Sequence, residues 1–285
     1  MAVNGIGDRV GARGWTPIDY GVRALTRAAA VAALALSAAC ASTSTRVPVG
    51  TLEPDKFLFE RGTAALNERK WFTAREFFQQ LIDTYPQSRY RADAKLGVGD
   101  THLGEGTAEG FVMAQNEFRE FLAFYPGHDR AAYAQYKLAM TYFYQMHGPE
   151  RDQTETREAI RELNVFVQRF PRSDLMAEAQ QKLREARDRL SQSEYRVGFF
   201  YFRNKWYPGA IERFVSVLKN DPQFTNRDAV YYHLGESLLR IERPAEALPY
   251  FDKLVAEFEQ SEYLENAKKR VAEIKSTLTA QVKKN

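Results

Sequence analysis

The strongest constraint on this chain is a helix-ending signature that occurs five times. It reads Phe78, Leu81, Tyr85, Pro86; then Phe118, Phe121, Tyr125, Pro126; then Leu163, Phe166, Phe170, Pro171; then Phe214, Val217, Asp221, Pro222; and finally Phe251, Leu254, Phe258, Glu259, where the proline is lost. The i, i+3, i+7 spacing puts the apolar residues on one helical face. A proline cannot continue the helix, because it lacks the N–H and its ring clashes with the preceding turn. Upstream of each signature lies a first helix, marked by a small residue among apolar ones: Gly62 and Ala65, Leu138-Ala139, Val197-Gly198 and Leu234-Gly235. Twelve residues after Gly62, Gly198 and Gly235 stand Ala74, Ala210 and Ala247. Small residues at both places let the two helices of a pair approach closely. One such pair cannot bury its apolar face, whereas stacked pairs share a continuous core.

Paired helices with these marks, at a period of about 34 residues, resemble the tetratricopeptide repeat. The signatures end at 86, 126, 171, 222 and 259, so successive gaps are 40, 45, 51 and 37 residues. Every gap is longer than the basic period, which predicts insertions near Gly104–Gly110 and His147–Gln153. The longest gap holds Ser173–Leu190, a stretch without Gly or Pro. Ser191-x-x-Glu194 has the form of a capping box that would start a new helix, and one helix running through to Arg203 is equally compatible. Tyr263, Ala267, Val271 and Ile274 continue at helical spacing, with Lys268, Lys269, Glu273 and Lys275 between or beyond them, as expected of a polar closing helix. The expected fold is all-α, a right-handed tetratricopeptide-repeat superhelix of about five helix pairs.

Composition excludes several classes. With 13% aromatic and 44% hydrophobic residues the chain can build a core and is not a disordered sequence. A single cysteine rules out a disulfide framework and paired-cysteine zinc sites. Forty Lys and Arg against 37 Asp and Glu give no reason to expect nucleic acid. His102, His128, His147 and His233 form no HExxH or close ligand pair, and His233 falls inside a repeat helix. Gly97, Gly99, Gly104 and Gly106 lack the spacing, the following Lys-Ser/Thr and the preceding strand of a phosphate loop. No catalytic domain remains once the repeats are subtracted, so a non-enzyme without cofactor or metal is expected.

The N-terminal residues carry an address. Arg23 and Arg27 precede nine apolar residues, Ala28 to Leu36, then Ser37, Ala38, Ala39 and Cys40. A basic region, a short apolar run and small residues make a secretory signal, and the run is well short of the ~17–25 residues that span a bilayer. Residues 1–39 resemble a bacterial lipoprotein signal, with the lone cysteine at the cleavage point. The resemblance implies lipidation of Cys40, the chain's only expected non-protein group. Ser37 stands where such signals usually carry Leu, and the residues alone also allow a plain export signal. Residues 40–53, rich in Ser, Thr and Pro, read as a flexible tether.

In a tetratricopeptide stack the first helices line the concave face. Phe59, Leu66, Tyr133, Tyr136, Met140, Phe143 and Tyr144 fall on or near that lining in the first and third repeats, and Tyr195, Phe199, Phe202 and Arg203 in the fourth. Aromatic anchors with polar neighbours suit extended peptides, although each residue could equally serve the core between repeats. The run Glu150-Arg151-Asp152-Gln153-Thr154, followed by Arg157-Glu158-Ala159 and Arg169-Phe170-Pro171-Arg172-Ser173, resembles the BamD (YfiO) family of outer-membrane β-barrel assembly lipoproteins. Arg187-x-Arg189-Leu190 and Glu194-x-x-Val197 extend the likeness, which covers roughly Pro54 to Glu259. Arg151, Asp152, Gln153 and Thr154 read as a structural motif, with Asp152 capping the next helix beside Glu155.

The resemblance implies a lipid-anchored adaptor on the periplasmic face of the outer membrane. Residues 54–172, repeats 1–3, would accept unfolded outer-membrane protein segments in the groove from Phe59 to Tyr144. Residues 173–285, repeats 4–5 and the closing helix, would dock on the barrel-forming subunit through Tyr195, Phe199, Arg203 and Arg213, alongside other lipoproteins of the machinery. Arg213 matches an arginine of the family, and a solvated role is open to it as well. A Tol-Pal-type envelope coordinator is the alternative of the same kind, and a scaffold of a cell-wall hydrolase the alternative of another.

Overall fold

The computed structural model describes residues 47–282, with side chains as far as 280. Cys40 and the signal lie outside the described residues. Eleven helices follow one another among them: α1 Pro54–Asn67, α2 Trp71–Thr84, α3 Arg91–Glu105, α4 Ala108–Phe124, α5 Ala131–Phe143, α6 Thr154–Arg169, α7 Met176–Arg203, α8 Tyr207–Asn220, α9 Arg227–Arg240, α10 Pro244–Glu257 and α11 Leu264–Val282. They form five pairs and a closing helix, and no strand occurs among the described residues. Each helix packs on its neighbours in sequence, and α1, α3, α5, α7 and α9 also touch one another in turn, whereas the second helices make no comparable contact with one another. The first helices therefore make the inner layer.

The repeated signature sets the boundaries. α2, α4, α6, α8 and α10 each end at its third residue, Tyr85, Tyr125, Phe170, Asp221 and Phe258, whose N–H groups reach Leu81, Phe121, Phe166, Val217 and Leu254. Proline in the first turn begins α1, α8 and α10, where its missing N–H costs nothing and its φ is already helical. The phenylalanines that open the signatures pack directly onto glycine backbone. A Cβ at Gly62 would lie 2.6 Å from the Phe78 ring, at Gly198 2.7 Å from Phe214, and at Gly235 2.5 Å from Phe251. Each pair is sixteen residues apart in sequence. Gly97 likewise receives the other edge of Phe78, and Gly99 receives Phe118, so these two glycines serve packing.

Two expectations need correction, and one open choice is decided. Gly104–Gly110 is no inserted loop: α3 runs to Glu105, Gly106 closes it in the left-handed region at φ 67°, and Thr107 already caps α4 by accepting from the Gly110 N–H. The extra length is absorbed as helix, α4 having 17 residues. Of the two readings left open at Ser191, the single helix running through to Arg203 is the one found: α7 is continuous over 28 residues, and the Ser191 hydroxyl donates to Asp221 at 2.7 Å. Asp152 is not the cap residue of α6. That position is Gln153, while the Asp152 carboxylate accepts from the Thr154 N–H at 3.0 Å. Gln153 is buried, and its amide donates to the Gly148 and Arg151 carbonyls and accepts from Thr156. It thereby pins the irregular connection between α5 and α6 around His147.

Candidate functional site

The inner layer differs between the two ends of the stack. In the third repeat most of the expected groove is core. Tyr136 is 6% exposed and Met140 1%, both packed with Leu163 and Phe166, and Phe143 joins them. The Tyr136 hydroxyl donates to Glu178 at 2.6 Å, and burial, with that carboxylate, raises its pKa. Tyr133 is half-buried and donates to Asp100 at 2.7 Å. Burial holds the Asp100 carboxyl above its ordinary value, against the pull of Lys137 and Tyr133. Phe59 stacks on Tyr90 with centroids 5.0 Å apart, and Leu66 is half-buried. Of these residues only Tyr144, 61% exposed and edge-on to Phe143, presents most of its ring to solvent. The physical reason is spacing: α5 is 13 residues long and buried on most sides between α4, α6 and α7.

The fourth repeat is open. At about 1.5 Å per residue, α7 is twice as long as most of its neighbours. Its first half belongs to the core of the third pair through Ala179, Leu183 and Ala186. Its second half belongs to the core of the fourth and fifth pairs through Tyr195. Beside this second half lies an open hollow of about 820 Å³, lined by Tyr195, Arg196, Phe199, Phe200, Arg203 and Tyr263, with Gln192 and Asn204 at its ends. Three of the residues expected to dock a partner, Tyr195, Phe199 and Arg203, thus share one trough.

His233 is buried behind the rings that line the trough. Its ring is surrounded by Phe199 (4.9 Å), Phe202 (5.2 Å), Tyr232 (5.3 Å), Tyr263 (5.4 Å) and Tyr195 (5.9 Å), mostly edge to face. The His233 Nδ1 donates to the Ala229 carbonyl at 2.7 Å and lies 3.2 Å from the Tyr195 hydroxyl. Burial depresses the His233 pKa, so the imidazole sits neutral among the rings. Burial also raises the pKa of Tyr195 and Tyr263.

Arg213 lies apart from the trough, exposed on α8 and 3.4 Å from Glu194. Arg151 borders a second hollow of about 380 Å³, on the other flank of α7, with Arg196, Val197 and Phe200. Phe200 is 61% exposed between the two hollows. The sequence reading missed Phe200, Arg196 and Tyr263. Arg196, Phe200 and Arg203 stand at i, i+4 and i+7, a helical stripe visible without coordinates. Tyr263 follows the last pair and meets the trough only through tertiary packing. Among the described residues no three His, Cys, Asp or Glu side chains gather as a metal site, and no helix is long and apolar enough to cross a membrane.

An all-helical stack with paired-helix periodicity and an open inner trough defines a tetratricopeptide-type scaffold, and a tetratricopeptide-repeat family model matches residues 229–261. The family model YfiO, outer membrane lipoprotein, matches residues 52–235, and the chain belongs to that family. It is similar to the outer membrane protein assembly factor BamD of Caulobacter vibrioides, 28% identical over 219 residues covering 75% of this chain and 70% of the relative. The protein of the same description from Rickettsia prowazekii is 23% identical, over 74% of this chain and 82% of that one. The one from Vibrio cholerae is 25% identical, over 67% and 80%.

Proposed function

We propose that this protein is a non-catalytic adaptor in the assembly of outer-membrane β-barrel proteins, held at the periplasmic face of the outer membrane by lipid on Cys40. The observation that carries the reading is the open aromatic trough of α7 in a chain of the YfiO family. Relatives described as outer membrane protein assembly factors support the role. The inner layer of residues 54–172, where Tyr144 is exposed, would take unfolded outer-membrane protein segments. Residues 173–285, through Tyr195, Phe199, Arg203 and Arg213, would dock on the barrel-forming subunit, with other lipoproteins of the machinery as further partners.

A photo-crosslinking residue at Phe200 in cells tests this, with one at the exposed Val112 of α4 as control. Capture of a β-barrel assembly subunit or its clients at Phe200 and not at Val112 is the expected result. Equal capture at both, or recovery of Tol-Pal components alone, would overturn the proposal. Labelling with radioactive palmitate, lost on Cys40→Ser, tests the anchor.

A further inference from the structure

The arginines around the trough divide into two kinds. Most near the fourth and fifth repeats are held by carboxylates: Arg184 by Asp221, Arg213 by Glu194, Arg227 by Glu257 and Arg270 by Glu236. Arg196 and Arg203 are exposed and have no carboxylate partner among the described residues. Both line the 820 Å³ hollow, and the exposed ring of Phe200 stands between them on the same face of α7. A lone arginine on a surface is ordinary. Two unpaired guanidinia flanking a bare aromatic ring at the mouth of a trough form a pattern with a complement.

We propose that this stripe recognises an extended polypeptide segment that presents carboxylate, apolar side chain and carboxylate along one face. The inference rests on the reading that the trough holds polypeptide and adds the chemistry of what it holds. Arg196 and Arg203 are seven residues apart, about 10.5 Å along the helix. In an extended chain, alternate side chains share a face about 6.7 Å apart, so two carboxylates flanking an apolar residue stand about 13 Å apart. The long arginine side chains span the difference. A single anion bridging both guanidinia would have to sit over the Phe200 ring. Two carboxylates with an apolar residue between them satisfy all three groups at once, with charge-assisted hydrogen bonds at the ends and ring burial in the middle.

The ends of the trough favour an extended chain over a helix. Gln192 accepts from Asn226 through Oε1 and has an unused Nε2; Asn204 donates from Nδ2 to the Phe200 carbonyl and has an unused Oδ1. A donor and an acceptor are thus free, among the described residues, at the two ends. An extended backbone carries exposed C=O and N–H groups to meet them, while a helix has satisfied its own.

The test uses the full chain in detergent and two fluorescein-labelled peptides of one composition. The first is Thr-Glu-Thr-Phe-Thr-Glu-Thr, with both carboxylates on the phenylalanine face. The second is Thr-Thr-Glu-Phe-Glu-Thr-Thr, which moves them to the opposite face. Anisotropy should show the first binding at least fivefold more tightly, with affinity falling as salt rises. Arg196→Glu with Arg203→Glu should weaken it at least tenfold, and replacing both peptide glutamates by lysine should restore binding to that variant. This rescue shows that the variant is folded. Phe200→Ser should weaken the first peptide alone. Equal affinity for both peptides, no saturable binding of either, or no rescue by charge exchange would overturn the proposal. So would binding of phosphatidylglycerol vesicles in place of the peptides, which would assign the arginines to lipid. The wider adaptor role is read separately by the Phe200 crosslink, so failure of one leaves the other standing.

Discussion

Gly235 gives the sharpest test of how the helix pairs are held. In an exposed helix, replacing Gly by Ala stabilises by about 1 kcal/mol, because glycine loses more backbone freedom on folding. At Gly235 the added Cβ would lie 2.5 Å from Cζ of Phe251 and 2.7 Å from Cε2. Phe251 has no exposed surface and is enclosed by Leu234, Ala247, Leu254 and the edge of Tyr232. The ring therefore has no free direction in which to retreat, and overpacking of this kind costs about 1–3 kcal/mol. Taking the upper end and subtracting the propensity gain, Gly235→Ala should destabilise by about 2 kcal/mol. Urea unfolding followed by circular dichroism would measure it. Phe251→Leu removes the clashing edge, so in the double variant the alanine should cost little, with a coupling of about 1–2 kcal/mol. A Gly235→Ala protein more stable than the parent, or a cycle without coupling, would refute the close-approach account. Gly106 is the contrast: nothing lies within 4 Å of a Cβ there, and any cost of Gly106→Ala comes from its φ of 67° alone.

Lys205 occupies the left-handed region at φ 61° between α7 and α8, so Lys205→Gly should stabilise by about 0.5–1 kcal/mol in a urea melt; a loss of stability would show that its side chain matters more than its backbone. Burial would raise the Asp221 pKa, but Arg184 and Ser191 hold it below the usual carboxylate value. Its contribution is therefore complete above an unfolded value of about 3.9 and is lost as pH falls through the folded value. Asp221→Asn should cost about 2 kcal/mol at pH 7 and flatten the acid limb of stability against pH, and an unchanged limb would count against the network. For His233, burial lowers the folded pKa, so the unfolded chain binds the proton first and stability declines as pH drops below about 6.5. His233→Phe should remove that decline between pH 7.5 and 5.5 in paired urea melts, and an identical pH dependence in both proteins would sink the assignment.

The helices were legible because their periodicity is local. Phe78, Leu81 and Tyr85 define a face and a stop within eight residues, and nothing distant alters that. Loops were harder. The glycines from 104 to 110 suggested an insertion, yet Gly104 meets the Trp71 ring and Gly106 and Thr107 are the whole connection between α3 and α4. The inner-face residues were hardest. Met140 and Phe199 are both apolar and hold the same position in their repeats, one residue after the small residues Ala139 and Gly198. Met140 is closed over in the core with Leu163 and Phe166, while Phe199 borders open space. That difference depends on where the next helix lies, which no window of sequence contains.

The length of α7 explains why the trough occurs where it does. A helix pair of ordinary length hands its inner face to the next pair about 34 residues later. Here 51 residues separate the third and fourth signatures, and the surplus is one unbroken helix that closes the third pair and opens the fourth. The hand-over is fastened at its middle: Arg184 binds both Asp188 and Asp221, Ser191 donates to Asp221, and the Thr225 N–H donates to Asp188. Asp221 fills the signature position that carries an aromatic residue in the other four repeats. An ion cluster there fixes the junction by direction as well as by contact, since a guanidinium between two carboxylates tolerates little rotation. With α7 held at that point, its last two turns extend past the third pair. The face bearing Arg196, Phe200 and Arg203 then stands uncovered beside the trough that Tyr263 walls on the far side.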